Sequence, residues 1–251
     1  MLRKIYKRIL DRRTDVAGSP FFTRYPTRLR ARLLNSYAAI QHDNRFAYFR
    51  IGKAANSTVV ATLHYAITGD RVVAMDDLQL IKDSSFSKLS DLNTNEVATL
   101  VSDYFTFTFV RNPYVRLLSG YLDKVIDNPG RKRKIIAKKL KKSPKSEITL
   151  ADFLDYIEDG GIDEDGHWSR QVDLLPIPHT ELNFIGRVEN LATELPLVME
   201  RIFHRQISIV NAATHATAAQ DATKELDSST KERIYRLYQA DFEILGYPRT
   251  C

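Results

Sequence analysis

The order of apolar and polar positions predicts two successive units in which a strand, a short loop and a helix follow one another. Phe46–Ile51 is short, aromatic and β-branched, and it runs into the polar segment GKAANST. Apolar residues then recur at helical spacing from Ser57 to Thr68. Tyr104–Val110 is almost continuous in strand-forming residues, which is typical of a buried strand in a parallel sheet. A predicted helix from Tyr114 to about Val125 follows, so both units have the same layout.

Capping residues and further apolar runs extend this pattern. Asn112 is a good N-cap residue, and Pro113 suits the first position of a helix. The other predicted elements are helical stretches within 71–101, a helix capped by Thr149 that reaches Tyr156, a strand over Leu182–Ile185, and helices over Asn190–Phe203 and from Ser228 to Leu237 or beyond. This alternation predicts one α/β domain with a central parallel sheet flanked by helices, and 251 residues suffice for its core.

Charge is distributed unevenly along the chain. Residues 1–44 are predicted to form a basic, helical N-terminal segment, and residues 45–251 the domain, with a basic insertion at 130–146. In the first 13 residues, apolar positions at helical spacing alternate with basic ones, which suits either an anionic membrane surface or packing on the chain's own domain.

The basic character of the chain is local. Arg131–Lys145 holds nine Lys or Arg residues and no acid, and the other residues comprise 28 basic and 31 acidic side chains. The segment suits either a solvated, mobile insertion or a surface that collects an acidic partner. A general affinity for nucleic acid is not expected from a patch of this kind.

The composition limits the cellular compartment that we expect and the kinds of metal site that the chain can form. The single cysteine, Cys251, excludes an internal disulfide framework and a zinc site built from cysteines. No apolar run approaches the roughly 20 residues that span a bilayer, and the charged first 13 residues lack the apolar core of a signal peptide. We therefore expect a cytoplasmic protein, with the basic N-terminus as a candidate peripheral contact with a membrane.

Candidate anion-binding residues follow both predicted strands. Lys53 lies in a loop of small residues before a helix, where backbone N–H groups converge on an anion, although a plain turn with an exposed lysine also fits this segment alone. The spacing does not match the P-loop pattern G-x-x-x-x-G-K-[ST]. Arg111 ends the second strand and Ser119 lies about two helical turns further on, so both are expected at the carboxyl edge of the sheet. Two separate sites suit a ligand with two separated phosphate-like groups.

Five sequence blocks then point to a known family. FVRNPYVRLLSGYLDK resembles the 3′-phosphate-binding motif of the carbohydrate sulfotransferases that use 3′-phosphoadenosine 5′-phosphosulfate (PAPS), in particular the chondroitin and HNK-1 branch. FRIGKAANST is similar to the 5′-phosphosulfate loop of that family, with Gly52 in place of proline and Ala55 in place of glycine. HWSRQVDLL, FIGRVENL and YQADFEILGYP extend the resemblance, which covers Phe46 to Pro248.

The resemblance implies a P-loop-like sulfotransferase fold and a set of donor-binding residues. Lys53 would contact the 5′-phosphosulfate, and Arg111 and Ser119 would hold the 3′-phosphate. The rest of the predicted donor loop comprises Ala54, Ala55, Asn56, Ser57 and Thr58. No metal is expected, because a sulfuryl group carries less negative charge than a phosphoryl group and a lysine with oriented N–H donors could suffice.

Sulfuryl transfer also needs a group that takes the proton of the acceptor hydroxyl. His167, in the polar loop before Trp168, is the predicted base, with Glu164 and Asp165 as substitutes. A structural histidine hydrogen-bonded beneath Trp168 is the alternative at this position.

The predicted function is transfer of a sulfuryl group from PAPS to a hydroxyl group of a carbohydrate. Acidic carbohydrates and lipid-linked carbohydrates are the two candidate kinds of acceptor. The alternatives are a nucleotide-dependent phosphotransferase that requires Mg²⁺, and a non-enzymatic adaptor that binds an acidic polymer or a membrane surface through its basic segment. The resemblance implies membrane-anchored, cysteine-rich Golgi enzymes in animals. Because this sequence shows neither property, a bacterial, cytoplasmic enzyme is expected.

Overall fold

The computed structural model describes residues 15–71, 75–211 and 216–249, and the helix expected in the first 13 residues lies outside them. The strands of this part are β1 (Ala38–Gln41), β2 (Phe46–Phe49), β3 (Phe105–Val110) and β4 (Phe184–Arg187). Its α-helices are α1 (Pro20–Arg24), α2 (Ala31–Tyr37), α3 (Asn56–Thr68), α4 (Met75–Ser84), α5 (Thr94–Asp103), α6 (Pro113–Tyr121), α7 (Arg131–Lys139), α8 (Leu150–Glu158), α9 (Leu191–Phe203), α10 (Ala216–Lys224), α11 (Ser228–Leu237) and α12 (Gln239–Ile244).

The four strands form one sheet in the order β1-β2-β3-β4. The α/β fold is confirmed, and β2, β3 and β4 are parallel, as the sequence predicts. The sheet is nevertheless mixed, because β1 pairs antiparallel with β2. Residues 42–45 alone connect these two strands, and so short a connection permits only an antiparallel pair. β1 precedes residue 45, where the sequence places the start of the domain, and that division stays a prediction.

Apolar side chains cover both faces of the sheet. Along β2, Ala47 and Phe49 belong to one buried cluster, whereas Phe46 and Tyr48 belong to the other. This alternation follows from the two-residue period of a strand. Helices on each face close the two clusters, so the sheet is buried between layers, and its carboxyl edge is where the connecting loops are open to a ligand.

The helix after β3 changes its winding near its end. Asn112 caps α6 by accepting hydrogen bonds from the backbone N–H groups of Tyr114 and Val115, at 3.0 and 3.4 Å. After Tyr121 the chain continues as a π-helix over Leu122–Asp127 instead of an α-helix to Val125. Such widened turns change the direction in which side chains point, and they occur often at functional sites.

The basic segment is folded in the structure. Its residues Arg131–Lys139 form α7, in which Ile136 and Ala137 are buried against the core. Arg133 donates three hydrogen bonds, to the carbonyl oxygens of Val125, Pro144 and Ser146. The insertion is therefore tied to its surroundings at both ends, which does not fit the alternative of a wholly solvated segment.

Candidate functional site

The loop that follows β2 turns sharply before α3 begins. Lys53 and Ala55 both have positive φ angles, 68° and 53°, which strain a residue that has a side chain. Ala55 gives the first turn of α3 no side-chain cap, and that turn contains no acidic residue. The N-terminus of α3 is therefore available to an anion. The left-handed backbone at position 55 also accounts for the glycine that the resembled family has there.

Lys53 forms an ion pair with a residue of the π-helix. Its Nζ lies 2.9 Å from Oδ2 of Asp123, which also accepts a hydrogen bond from Lys124 at 2.8 Å. Burial lowers the pKa of Lys53 despite this partner. Burial opposes ionisation of Asp123, yet the hydrogen bonds from the two lysines hold its pKa well below the usual range. Asp123 thus holds both ammonium groups close to the loop.

Arg111 joins the end of β3 to the same loop. Its Nη1 donates to the carbonyl oxygen of Lys53 at 3.3 Å, and its residue is only 6% exposed. Gln171 fixes the backbone here, since its side-chain amide accepts from the Arg111 N–H and donates to the Arg111 carbonyl, both at 2.8 Å. Asp241 in turn accepts from the backbone N–H groups of Gln171 and Val172. The two predicted anion-binding turns are therefore adjacent in the fold.

Arg116 connects the loop to the segment that contains His167. Its fully buried guanidinium donates to three carbonyl oxygens, of Gly52 at 2.9 Å, Gly166 at 2.9 Å and Ser169 at 2.7 Å. One planar group with several N–H donors in a fixed geometry can satisfy all three acceptors at once. This arrangement, which we name the Arg116 clamp, fixes the loop relative to residues 166–169.

Two glycines allow the backbone at His167 to approach this closely. A Cβ atom on Gly52 would lie 2.8 Å from the carbonyl oxygen of Gly166 and 3.3 Å from the Cα of His167. A Cβ atom on Gly120 of α6 would lie 3.1 Å from the carbonyl oxygen of His167. His167 is thus packed between the loop and α6, and the glycine at position 52 has a steric reason.

The ring of His167 has two charged neighbours at one nitrogen. Nδ1 lies 2.6 Å from Oδ1 of Asp165 and 2.6 Å from Nζ of Lys132, and the same Nζ lies 2.6 Å from Oδ2 of Asp165. Burial lowers the pKa of His167, Asp165 opposes that decrease, and Lys132 adds to it. The lowered pKa favours the neutral imidazole, which is the form that can accept a proton.

The substitute bases are less suited to this role. Burial raises the pKa of Asp165, but hydrogen bonds to His167 and Lys132 outweigh it and hold the pKa well below the usual range. Glu164 forms an ion pair with Lys139 and accepts a hydrogen bond from Tyr156, and its pKa is also lowered. Carboxylates with depressed pKa values are weak bases, which leaves His167 as the better candidate of the three.

A cleft of about 510 Å³ lies beside the Asp165–Lys132 pair. Its lining combines cationic, acidic and aromatic side chains, among them Arg28, Arg30, Lys132, Tyr156 and Asp165. Trp168 also borders it, but this side chain is 1% exposed and its indole N–H donates to the carbonyl of Gly161, so it is chiefly a core residue. The cleft has the volume and the mixed polar lining of a small-molecule site.

The other predicted site residues differ in how the structure places them. Ala54 is buried, Thr58 is 5% exposed, and Oδ1 of Asn56 is buried without a hydrogen-bond partner. The hydroxyl of Ser57 accepts a hydrogen bond. Ser119 is 6% exposed and precedes Gly120, which packs against the His167 carbonyl. All of these residues border the loop, α3 or α6, whereas contact with a donor stays a prediction.

Several residues of the site carry no role in the sequence-based prediction, among them Asp123, Lys132 and Arg116. Asp123 and Arg116 both stand in the block FVRNPYVRLLSGYLDK, so the block itself was the available signal. Lys132 is one of nine basic residues in its segment, and no pattern distinguishes it from its neighbours. Its contact with Asp165 depends on how α7 packs.

Comparison with known proteins agrees with this geometry. A family model described as the sulfotransferase family matches residues 36–248. Carbohydrate sulfotransferase 14 of Danio rerio is 28% identical over 247 residues, which cover 88% of this chain and 64% of that protein. Carbohydrate sulfotransferase 10 of Xenopus laevis is 23% identical over 227 residues, 79% of this chain and 62% of its own length. Carbohydrate sulfotransferase 12 of Mus musculus is 26% identical over 171 residues, 58% of this chain and 41% of its own length.

These relatives bear on the expected location and the expected source of the protein. They are animal carbohydrate sulfotransferases, the class for which the resemblance implies a location in the Golgi membrane, so the prediction of a cytoplasmic protein is wrong. They also give no support to a bacterial source. The chain spans less than two thirds of the length of each of these relatives. Within the described residues, no helix has the length and apolar composition to cross a membrane.

Proposed function

This chain belongs to the sulfotransferase family, and we propose that it transfers a sulfuryl group from PAPS to a hydroxyl group of a carbohydrate. The observation that carries the proposal is the contact between Arg111 Nη1 and the carbonyl oxygen of Lys53 at 3.3 Å. It joins the two turns that are predicted to bind anions, one after β2 and one after β3, at one edge of the sheet. A donor with phosphate groups at both its 3′ and 5′ positions fits such a pair of adjacent sites.

The residues present suit the 5′ end of this donor. The first turn of α3 has no side-chain cap and no acidic residue, so its N–H groups and the helix dipole favour an anion. Lys53 adds a charge, and the strained backbone at Lys53 and Ala55 is typical of a loop held in shape for a ligand. Bound there, the donor would supply a sulfuryl group attached to a phosphate that leaves readily.

Each predicted residue then has a defined task. Lys53 would neutralise the charge that grows on the 5′-phosphate side as the S–O bond breaks, which stabilises the transition state more than the ground state. To do so, its ammonium group would move from Asp123 to the bound anion. Arg111 and Ser119 would hold the 3′-phosphate, and a guanidinium can make a bidentate contact there that lysine could not.

His167 would act on the acceptor. This role requires the tautomer whose proton is on Nδ1 and directed to Asp165, because the second ring nitrogen, Nε2, is then the one that takes the proton of the acceptor hydroxyl. Asp165 then stabilises the imidazolium that results. The carbohydrate would enter by the cleft next to Asp165 and Lys132, whose aromatic and charged lining suits the faces and hydroxyl groups of a sugar.

The alternatives are supported less well. A Mg²⁺-dependent phosphotransferase is not favoured by the family match or by the lack of the P-loop spacing. A basic adaptor would not require the buried contacts that join Lys53, Arg111 and Arg116 around one loop.

The test is a titration with adenosine 3′,5′-bisphosphate, the product of the donor, and with ATP plus Mg²⁺. We expect the bisphosphate to bind more tightly, and Arg111→Ala to weaken it at least tenfold, since a charge-assisted contact to phosphate is lost. Arg236→Ala, at an exposed arginine of α11, is the matched control and should bind as the wild type does. Preference for ATP with Mg²⁺, or unchanged affinity in Arg111→Ala, would contradict the proposal.

Turnover tests the role of Lys53. Lys53→Ala should decrease kcat more than it decreases donor affinity, because the charge that it stabilises grows in the transition state. Glycan acceptors can be screened with labelled PAPS, and absence of transfer to any carbohydrate would contradict the proposed acceptor class.

A further inference from the structure

A second lysine reaches the first turn of α3 from another element. Lys82 lies in the last turn of α4, and its Nζ donates to the hydroxyl of Ser57 at 3.0 Å. Ser57 is the second residue of α3, beside the N–H groups that are open to an anion. The sequence gives Lys82 no role, since it lies outside all five blocks of resemblance.

The position of Lys82 is unfavourable for a cation. Lys82 is half-buried, and burial is the largest cause that lowers its pKa, to about 8. Repulsion from Arg50 and Lys124 lowers the pKa further, whereas the negative charge of Asp83 raises it. Arg50 adds a second buried positive charge nearby, and its guanidinium donates to the carbonyl oxygens of Ser36 and Tyr37. Lys124, which repels Lys82, also repels Lys53.

The three lysines differ in the groups to which they donate hydrogen bonds. Lys53 and Lys124 share the carboxylate of Asp123, whereas the Lys82 ammonium donates a hydrogen bond to the neutral hydroxyl of Ser57. Positive charges held together in a partly desolvated place cost free energy unless an anion joins them. This cluster of cations lies beside the uncapped N-terminus of α3, which indicates a binding site for an anion. The anion would carry more negative charge than Lys53 alone could balance.

We propose that Lys82 is a second cationic ligand of the 5′-phosphosulfate of the donor, in addition to Lys53, at the first turn of α3. This inference rests on the proposed function and deepens it. The Lys82 ammonium would exchange its hydrogen bond with Ser57, or share it, with an oxygen of the bound anion. The 5′ end of the donor is then held by two lysines from separate elements together with the α3 N–H groups.

The first experiment measures binding of adenosine 3′,5′-bisphosphate by calorimetry to Lys82→Met, Lys82→Arg and Lys138→Met. Methionine keeps most of the apolar stem and removes the charge, and we expect its affinity to fall at least tenfold. Arginine keeps the charge and should retain most of the affinity. Lys138 is an exposed lysine of α7, so its substitution should leave affinity unchanged. Wild-type affinity in a folded Lys82→Met protein would overturn the proposal.

A second experiment uses the unsubstituted protein, so it does not depend on the folding of a variant. Lysines are acetylated with and without adenosine 3′,5′-bisphosphate, and the modified peptides are quantified by mass spectrometry. The ligand should protect Lys82 and leave Lys138 accessible, whereas equal modification of Lys82 in both samples would refute its contact with the anion. If the wild-type protein does not bind the bisphosphate at all, the proposed function fails; if it binds and Lys82 is insensitive, only the role of Lys82 fails.

Discussion

Replacing Arg116 with lysine tests whether the Arg116 clamp sets the geometry of the donor loop. The guanidinium satisfies three buried carbonyl oxygens, and a lysine ammonium on a single flexible stem can reach about one of them. Two buried acceptors then lose a charged donor, at about 1.5–2 kcal/mol each, so the free energy of unfolding should fall by about 3–4 kcal/mol. For a domain of this size, that corresponds to a decrease in Tm of about 10 °C.

The same change should weaken the donor site, although Arg116 itself is buried away from solvent. Freed from Arg116, the carbonyl of Gly52 no longer fixes the loop next to Lys53. We expect the affinity for adenosine 3′,5′-bisphosphate to fall about tenfold, equivalent to about 1.4 kcal/mol. Calorimetric titration at a temperature well below the Tm of the variant measures this loss on folded protein.

Arg133→Lys is the matched control, because Arg133 also donates to three backbone carbonyl oxygens, but it is partly exposed and its acceptors, Val125, Pro144 and Ser146, lie outside the loop. Water can replace some of its bonds, so we expect a smaller decrease in Tm and no change in affinity. A large loss of stability in Arg116→Lys with full donor affinity would refute the role of the clamp in positioning the loop. An unchanged Tm would refute the energetic reasoning as well.

Two further predictions concern the segment around His167. Asp165→Asn removes a charge that raises the pKa of His167, so the acidic limb of the plot of kcat against pH should move to lower pH. Lys132→Met removes a charge that lowers this pKa, so the same limb should move to higher pH. Shifts in the same direction in both variants would contradict the role of His167 as the base. Gly52→Ala should destabilise the protein by about 1–3 kcal/mol and slow turnover, because the new Cβ atom would lie 2.8 Å from a backbone carbonyl oxygen. Gly130→Ala is the control, because the nearest atom to its new Cβ is 3.9 Å away. Its thermal melting and its turnover should match those of the wild type.

Local signals in the sequence predicted many elements closely. The helix Ser228–Leu237 is reproduced without change, and the expected caps at Asn112 and Thr149 are both present. These features depend on contacts between residues a few positions apart, which the sequence displays directly. Local signals were insufficient for β1 and α10, since a strand of four residues and a helix rich in Ala and Thr have weak patterns of their own.

By itself, the sequence determined that Lys53 and Arg111 follow parallel strands, and therefore that both lie at the carboxyl edge of one sheet. Only the tertiary structure decided which residues complete the site. Lys82, Asp123 and Lys132 reach the loop or His167 from three different elements, across separations of 25, 70 and 35 residues in sequence. The reason is physical: the positions of β2, β3 and the helices that follow them show in short-range patterns, whereas the meeting of distant side chains depends on how helices pack, and chain spacing alone does not specify that packing.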